Sequence, residues 1–293
     1  MKHGTPLDPS ALTSHPLPAV VDGDKETKGR ILIVAGSRDV PGAALLCATA
    51  AMRAGAGKLC IVTVKSAAHH LGMRMPEAMV VGLPEDDDGG FGPSAVDAIK
   101  KQAESADAIV GGPGMSNGEV CGRISQALLE TRASLALDAA LLHSLEPLTP
   151  HERASPPVLL PHAGELSSLL DCEEEEIERD PIRCGIRAAE LYRSVVLVKG
   201  VTSHVVTPAG EAWTYEGGAP GLGVSGSGDV LGASSEACSR AAPNRSMPCS
   251  GRCGCTARPA RTLRKPSVRS AFSPVRSPTR FPHYCPAELL PLE

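Results

Sequence analysis

The sequence predicts an α/β fold of three layers, αβα, in which helices cover both faces of a mostly parallel central sheet. Short apolar runs of strand type alternate along the chain with helical segments rich in small apolar residues. Glycine or a polar residue repeatedly follows the end of an apolar run, as at the ligand-binding edge of open parallel sheets. With 293 residues, 42% of them hydrophobic, the chain is long enough to bury a sizeable core.

The predicted elements begin at residue 30. Strands are predicted at 30–35, 58–64, 107–110, 134–137, 158–160 and 195–198, with a hairpin formed by 203–207 and 211–215. Helices are predicted at 42–54, 93–105, 117–132, 164–170 and 173–193, with Pro41 starting the first and Asn117 capping the third. The groups at predicted strand ends are Gly36-Ser37, Gly112-Pro113-Gly114, Asp138, His162 and Lys199. Because these ends share one edge of a parallel sheet, they predict a nucleotide or phosphate site there.

The stretch from Gly221 to Leu231 has four glycines in its first eight residues, followed by Asp229 and an apolar pair. Where such a loop enters a helix, free N–H groups and the helix dipole form an anion site. Asp229 would lie in the first helical turn, where a carboxylate can take the proton of a hydroxyl that attacks phosphorus. The alternative interpretation is a glycine-rich surface loop with an Asp that only caps the helix.

We divide the chain into an N-terminal extension (1–28), one α/β domain (29–232) and an irregular basic tail (233–293). No apolar run is long enough to span a bilayer, and the first 24 residues lack the basic-then-apolar pattern of a secretion signal. We therefore expect a cytoplasmic protein with no membrane partner. The five scattered cysteines before the tail are interpreted as buried or incidental thiols.

Eight motifs in this order resemble the ADP-dependent NAD(P)H-hydrate dehydratases of the ribokinase-like superfamily. They lie at 34–37, 41–44, 52–57, 112–114, 137–139, 161–165, 199–200 and 226–229, within a match of about 28–231. The resemblance implies a lyase (hydro-lyase) that repairs hydrated NADH or NADPH. The enzyme phosphorylates the C6 hydroxyl of the reduced nicotinamide from ADP, with ATP as a second candidate donor and Mg²⁺ as the expected metal. Loss of phosphate then restores NAD(P)H and leaves AMP.

The resemblance also implies roles for particular residues. Asp229 would be the catalytic base. Substrate contacts are implied for Gly42, Ala43, Gly114, His162 and Asp229. Nucleotide contacts are implied for Lys199, Gly200, Val201, Thr202, Ser203, Gly226, Ser227 and Gly228. Structural alternatives remain open: Gly42 for tight helix–sheet packing, Gly114 for a turn, His162 as a structural histidine, and Lys199 as a solvated lysine. Asp138 is interpreted as a structural residue that holds the loops together.

Other expectations follow from the same resemblance. The partners are the small-molecule hydrate and a separate hydrate epimerase, and the chain is expected to be a homo-oligomer. Two other functions stay open: a ribokinase-like kinase of hydroxymethylpyrimidine or thiazole type, and a nucleotide-binding protein inactivated by its C-terminus. The sequence departs from the family pattern at Leu160, Ala140 and Ala219, and no long apolar helix is predicted after Leu231.

From Ser234 onward the chain has ten Lys or Arg against three Asp or Glu, whereas the preceding 233 residues have 19 against 30. Cys249, Cys253 and Cys255 do not have the spacing of a usual zinc pair, so no metal site is expected. A basic nucleic-acid-binding arm is an alternative that we do not favour. Codons can be chosen for residues 233–240 such that the neighbouring reading frame encodes an apolar helix of the family type. We therefore hypothesise that the tail is a frameshifted segment.

Overall fold

The computed structural model describes residues 4–8, 25, 29–148, 153, 155–216 and 226–240, the last six of these by their backbone only. One ten-stranded sheet has the order β1-β10-β9-β8-β7-β6-β5-β2-β3-β4. The strands are β1 Thr5–Pro6, β2 Arg30–Val34, β3 Lys58–Val64, β4 Ala78–Leu83, β5 Ala108–Gly111, β6 Ser134–Leu137, β7 Val158–Leu159, β8 Val195–Val198, β9 Ser203–Val206 and β10 Ala212–Tyr215.

Nine helices occur in the described part of the chain. They are α1 Pro41–Arg53, α2 Lys65–Arg74, α3 Ala95–Ala103, α4 Glu119–Leu129, α5 Ala140–His143, α6 Ala163–Leu170, α7 Glu174–Arg179, α8 Pro181–Leu191 and α9 Ser227–Arg240. None of the helices in these ranges is long and apolar enough to cross a membrane.

The predicted mostly parallel sheet is confirmed. Strands β4, β3, β2, β5, β6, β7 and β8 pair in parallel, and only β9 runs antiparallel to both of its neighbours. The chain leaves β2 in one direction to β3 and β4 and later returns to pair β5 on the other side of β2. This reversal between β2 and β5 is a topological switch point, where open α/β sheets form a crevice for ligands.

The core consists of aliphatic side chains, because aromatic residues make up only 2% of the sequence. The central strands β5 and β8 are buried along their whole length. Phe91 and eleven isoleucines and leucines are the largest wholly buried side chains among the described residues. Five cysteines in this part are free, and three of them are buried, as the scattered spacing predicted.

Two helix predictions are wrong in detail. The segment predicted as one helix over 173–193 is two helices, α7 and α8, because Pro181 cannot continue α7 and instead starts α8. The Asp180 side chain accepts a hydrogen bond from the Arg183 N–H, so it caps the second helix. The N-cap of α4 is Gly118, not Asn117, and no side chain caps this helix.

Both ends of the domain contain regular structure beyond the predicted boundaries. Thr5–Pro6 forms edge strand β1 on β10, and the buried Leu7 packs beside it, although no regular pattern was predicted before residue 28. Helix α9 continues to Arg240, eight residues past the predicted boundary at 232, because no proline interrupts it before Pro243. Cys249, Cys253 and Cys255, at which no metal site is expected, and the rest of the hypothesised frameshifted segment lie outside the described residues.

Candidate active site

The loops that follow β2 and β5 are joined directly at the switch point. The Gly36 N–H donates to the Pro113 carbonyl at 2.8 Å, and the Gly112 N–H donates to the Val34 carbonyl at 3.0 Å. Both glycines have positive φ, at +82° and +114°, where glycine carries no steric cost. The floor of the predicted crevice is therefore a pair of hydrogen-bonded loops.

Gly114 is the point at which the second loop crosses the start of α1. Its φ is +63°, and a Cβ added there would lie 2.4 Å from the Ala43 Cβ and 2.9 Å from the Val40 carbonyl oxygen. Since real Cβ atoms do not approach this closely, only glycine lets the two loops touch. Gly114 thus does more than form a turn after Pro113, because it brings the predicted substrate loops together.

Gly42, in the first turn of α1, has open space around it, in contrast to the crowded Gly114. A Cβ added there would meet no atom within 4 Å. Tight helix–sheet packing, the structural alternative for this glycine, is therefore wrong. Gly42 is exposed and directly precedes the buried Ala43, the residue that the Gly114 loop approaches.

His162 follows β7 and caps α6. Its Nδ1 accepts a hydrogen bond from the Glu165 N–H at 3.2 Å, while its own N–H donates to Glu165 Oε2 at 2.8 Å. This reciprocal arrangement is a capping box with His in place of Ser or Thr. Because the His162 side chain remains 59% exposed, it faces the open side of the sheet edge while its ring nitrogen holds the helix.

Lys199 follows β8, next to His162 across the sheet. Its Nζ lies 2.6 Å from Asp138 Oδ1 and 3.6 Å from Glu165 Oε2. The two carboxylates are almost wholly buried, with side chains 3% and 7% exposed, and the lysine side chain is 21% exposed. The solvated alternative for Lys199 is therefore wrong. Burial raises the pKa of Asp138, and the Lys199 charge opposes part of this rise.

Helix α9 begins against this charged cluster. Gly226 has φ of +88°, and Asp229 lies in the first turn, as predicted. The first N–H groups of a helix have no partner within it, so those of Ser227, Gly228 and Asp229 are available to an anion. A Cβ on Gly228 would lie 3.5 Å from both Asp138 Oδ2 and Lys199 Nζ. The helix N-terminus and the Lys199 ammonium thus lie side by side, the arrangement that an anion-binding site requires.

Packing against α1 holds Asp229 at the site. The Cys47 thiol on α1 donates to the Asp229 carbonyl at 3.4 Å, and a Cβ on Gly226 would lie 2.4 Å from Leu46 Cδ1. Burial, assisted by the negative charge of Asp138, raises the pKa of Asp229 to about 6, although Lys199 acts in the opposite direction. A carboxylate with this pKa is ionised at neutral pH and is more basic than an exposed one, which suits a general base.

The segment predicted to bind the nucleotide, residues 199–203, continues from Lys199 to the outer edge of the site. Gly200 and Val201 are exposed, Val201 by 93%, while Thr202 and Ser203 are half-buried and lead into β9. The Ser203 hydroxyl donates to the Gly200 carbonyl at 3.3 Å and closes the turn. An exposed valine next to the anion site is available to pack against the flat face of a base.

Sequence reasoning missed part of the site. Glu165 was not singled out, although its spacing of three from the cap residue His162 is a capping-box signal. Asp138 was recognised at a strand end and interpreted as a residue that holds the loops together, and the structure adds that its carboxylate accepts a hydrogen bond from Lys199. Ala219 and the loop residues 221–225 lie outside the described residues.

The mostly parallel α/β sheet, with Asp229 and Lys199 beside the N-terminus of α9, is the arrangement expected of a ribokinase-like protein, and such a site suits phosphoryl transfer. A family model described as NAD(P)H-hydrate dehydratase matches residues 31–234. The chain belongs to the NAD(P)H-hydrate dehydratase family, which confirms the resemblance predicted from the motifs.

Two curated relatives illustrate the match. The ADP-dependent (S)-NAD(P)H-hydrate dehydratase of Xanthomonas campestris is 44% identical over 225 residues, which are 76% of this chain and 75% of that protein. The bifunctional NAD(P)H-hydrate repair enzyme Nnr of Thermofilum pendens is 33% identical over 213 residues. This second alignment covers 72% of this chain but only 41% of the bifunctional protein.

Solved structures agree with the fold. The ADP/ATP-dependent NAD(P)H-hydrate dehydratase of Bacillus subtilis, co-crystallised with ATP and Mg²⁺, has a TM-score of 0.74 and 25% identity. The match covers 90% of this chain and 91% of that one. A ribokinase-like superfamily protein of Enterococcus faecalis has a TM-score of 0.72 at 22% identity, covering 88% and 86% of the two chains, and supports the fold alone.

Proposed function

We propose that this protein is an ADP-dependent (S)-NAD(P)H-hydrate dehydratase, a hydro-lyase that repairs hydrated NADH and NADPH. Transfer of the terminal phosphoryl group of ADP to the C6 hydroxyl leaves AMP. The C6–O bond then breaks, phosphate leaves, and the ring loses a proton to restore the double bond of NAD(P)H. One observation carries the proposal for this chain: the Asp229 carboxylate, with a pKa of about 6, lies in the first turn of α9 beside the Lys199 ammonium.

The chain's own residues account for the transfer step. Asp229 takes the hydroxyl proton as the substrate oxygen attacks the terminal phosphorus. The free N–H groups of Ser227 and Gly228 and the Lys199 ammonium stabilise the negative charge of the transferred group. Because these donors are held in place before the reaction, they need no rearrangement when the charge develops.

Mg²⁺ fits this arrangement as a companion of the nucleotide. No group of three or more His, Cys, Asp or Glu side chains in the described ranges could hold a metal ion. Mg²⁺ in kinase-type sites is bound largely through the phosphates of the substrate and water, so a cage of protein ligands is not required. When bound, the ion supplies positive charge to the phosphate oxygens during transfer.

The two ends of the site receive different parts of the reactants in this proposal. The hydrate lies in the crevice formed by Gly42, Ala43, Gly114 and His162, with its hydroxyl toward Asp229. The nucleotide lies over the loop of residues 199–203 and the start of α9. We further propose a cytoplasmic homo-oligomer that works with a separate hydrate epimerase.

The function is tested by following the recovery of NADH absorbance from purified hydrate with ADP or ATP and Mg²⁺. Recovery that depends on nucleotide, with formation of AMP from ADP, is the expected result. A stable phosphorylated product of hydroxymethylpyrimidine or thiazole, without NADH recovery, would instead support the kinase alternative. Nucleotide binding without either reaction would support the inactivated protein and overturn the proposed activity.

Gly42→Ala separates substrate binding from packing. The added methyl group meets open space, so we expect stability to be unchanged or raised by up to about 1 kcal/mol. The methyl group would occupy room proposed for the substrate, so we expect KM for the hydrate to rise about tenfold, with KM for ADP unchanged. The matched control is Gly72→Ala within α2, where the nearest atom would lie at an ordinary 3.9 Å. Equal KM values for the hydrate in both variants would contradict the placement of the substrate.

A further inference from the structure

Asp138, Lys199 and Glu165 form a buried charged cluster that joins three elements of the site. Asp138 follows β6, Lys199 follows β8 and Glu165 lies in α6, yet both carboxylates approach the same ammonium. Together with Asp229 the cluster has three acidic groups and one basic group. A buried ion pair of this kind is weak evidence for stability, since removing charges from water costs about as much as their attraction returns.

The position of the cluster indicates a role in the reaction. Lys199 Nζ and Asp138 Oδ2 lie on the same side of Gly228, each 3.5 Å from where its Cβ would be. No side chain at position 228 separates them from the free N–H groups of the first turn of α9. The lysine keeps 21% of its side chain exposed, while the two carboxylates behind it are covered. The ammonium is therefore held by two buried carboxylates and lies beside the N-terminus of α9.

The backbone at Ala139, directly after Asp138, has a strained conformation. Ala139 has φ of +47° and ψ of −120°, a region that non-glycine residues rarely adopt. In this conformation the Ala139 N–H donates to Asp138 Oδ1 at 2.8 Å, the same oxygen that accepts from Lys199. The Asp138 carbonyl oxygen is also enclosed by Gly112, which would carry a Cβ only 1.8 Å away. The surrounding structure thus holds one carboxylate oxygen toward one ammonium.

We propose that Asp138 is a positioning residue which, with Glu165, holds the Lys199 ammonium against the N-terminus of α9 to receive the terminal phosphate of ADP. This inference rests on the proposed function. Asp138 itself does not touch the reacting atoms and acts through Lys199. Glu165 makes the weaker of the two ion pairs with Lys199, since its oxygen lies 3.6 Å from Lys199 Nζ, whereas that of Asp138 lies 2.6 Å away.

The test is a double-mutant cycle of Asp138→Asn and Lys199→Gln, read by calorimetric binding of Mg·ADP to the full chain and by kcat and KM for ADP. Each single variant is expected to weaken ADP binding by about 10- to 100-fold, the range of a charge-assisted hydrogen bond. The double variant should bind no more weakly than Lys199→Gln, because Asp138 acts through the lysine. Additive losses, or wild-type affinity for ADP in Asp138→Asn, would overturn the proposal.

Asp180→Ala is the matched structural control, because Asp180 also accepts from a backbone N–H but lies at the start of α8. It should lower the melting temperature and leave the affinity for ADP unchanged. If Asp138→Asn does not fold, Glu165→Gln takes its place, with an expected threefold to tenfold loss of affinity, and wild-type affinity there overturns the proposal. Binding of Mg·ADP is measured without the hydrate, so this test does not depend on turnover. If the chain binds Mg·ADP through this cluster but repairs no hydrate, the proposed activity is refuted and the role of Asp138 is not.

Discussion

Replacement of Asp229 by Asn is expected to lower turnover of the hydrate by roughly 10²- to 10⁴-fold and to make the folded chain more stable above pH 6. The loss of rate is the usual contribution of a general base, which an amide cannot replace. The gain in stability follows from burial, which raises the pKa of Asp229 from 3.8 to about 6. Function and stability therefore oppose each other at this residue.

The sign of the pH effect follows from the direction of this pKa shift. Between pH 4 and pH 6 the folded chain binds more protons at Asp229 than the unfolded chain, so stability falls as pH rises. Above pH 6 the ionised carboxylate costs at most about 3 kcal/mol, and less because it is partly exposed to solvent. Asn removes this cost, so the difference in stability between the variant and the wild type should grow between pH 4 and pH 6 and then level off.

Urea unfolding across this pH range, with hydrate turnover measured in parallel, checks the prediction. Asp97→Asn is the matched control, since Asp97 also lies in the first turn of a helix, α3, but is exposed. Removal of the Asp97 charge should leave turnover unchanged and reduce stability slightly, because a favourable interaction with the helix dipole is lost. An Asp229→Asn chain that keeps a tenth of the wild-type rate, or is less stable at pH 8, would contradict the prediction.

Gly112→Ala is expected to destabilise the chain by more than about 4 kcal/mol or to prevent folding. The added Cβ would lie 1.8 Å from the Asp138 carbonyl oxygen, on a backbone with φ of +114°. Neither atom can move freely, since the Asp138 N–H donates to the Gly111 carbonyl within the paired strands β5 and β6. The clash therefore forces the loop away from the strand end that holds the Asp138 carboxylate.

Gly55→Ala separates the clash from the backbone strain. Gly55 has a similar φ of +103°, but a Cβ there would meet no atom within 4 Å. Its replacement should cost only the strain, about 1–3 kcal/mol. Urea unfolding and expression of soluble protein compare the two variants. Equal losses of stability would show that strain alone, and not the close approach of Gly112 to Asp138, limits this position.

Several elements could be predicted from local sequence because their signals lie within a few residues. Strands β3 and β6 have the predicted bounds, and the hairpin of β9 and β10 pairs as expected. Strand β4 and helix α2 were not predicted. The helix mixes lysine, histidine, glycine and methionine, so no clear apolar period marks it. Strand β4 is a short apolar run, Ala-Met-Val-Val-Gly-Leu, that sequence reasoning overlooked, and it forms a largely uncovered edge of the sheet.

The sequence by itself determined the α/β class, the family and the residue types at the strand ends, because turn chemistry and apolar periodicity are properties of neighbours in the chain. Only the tertiary structure decided which of these ends meet. Asp138 and Lys199 are 61 positions apart and become partners because β7 alone separates β6 from β8 in the sheet. The raised pKa of Asp229 has the same origin, since burial and the charge of Asp138 act on it only after α9 has packed against α1.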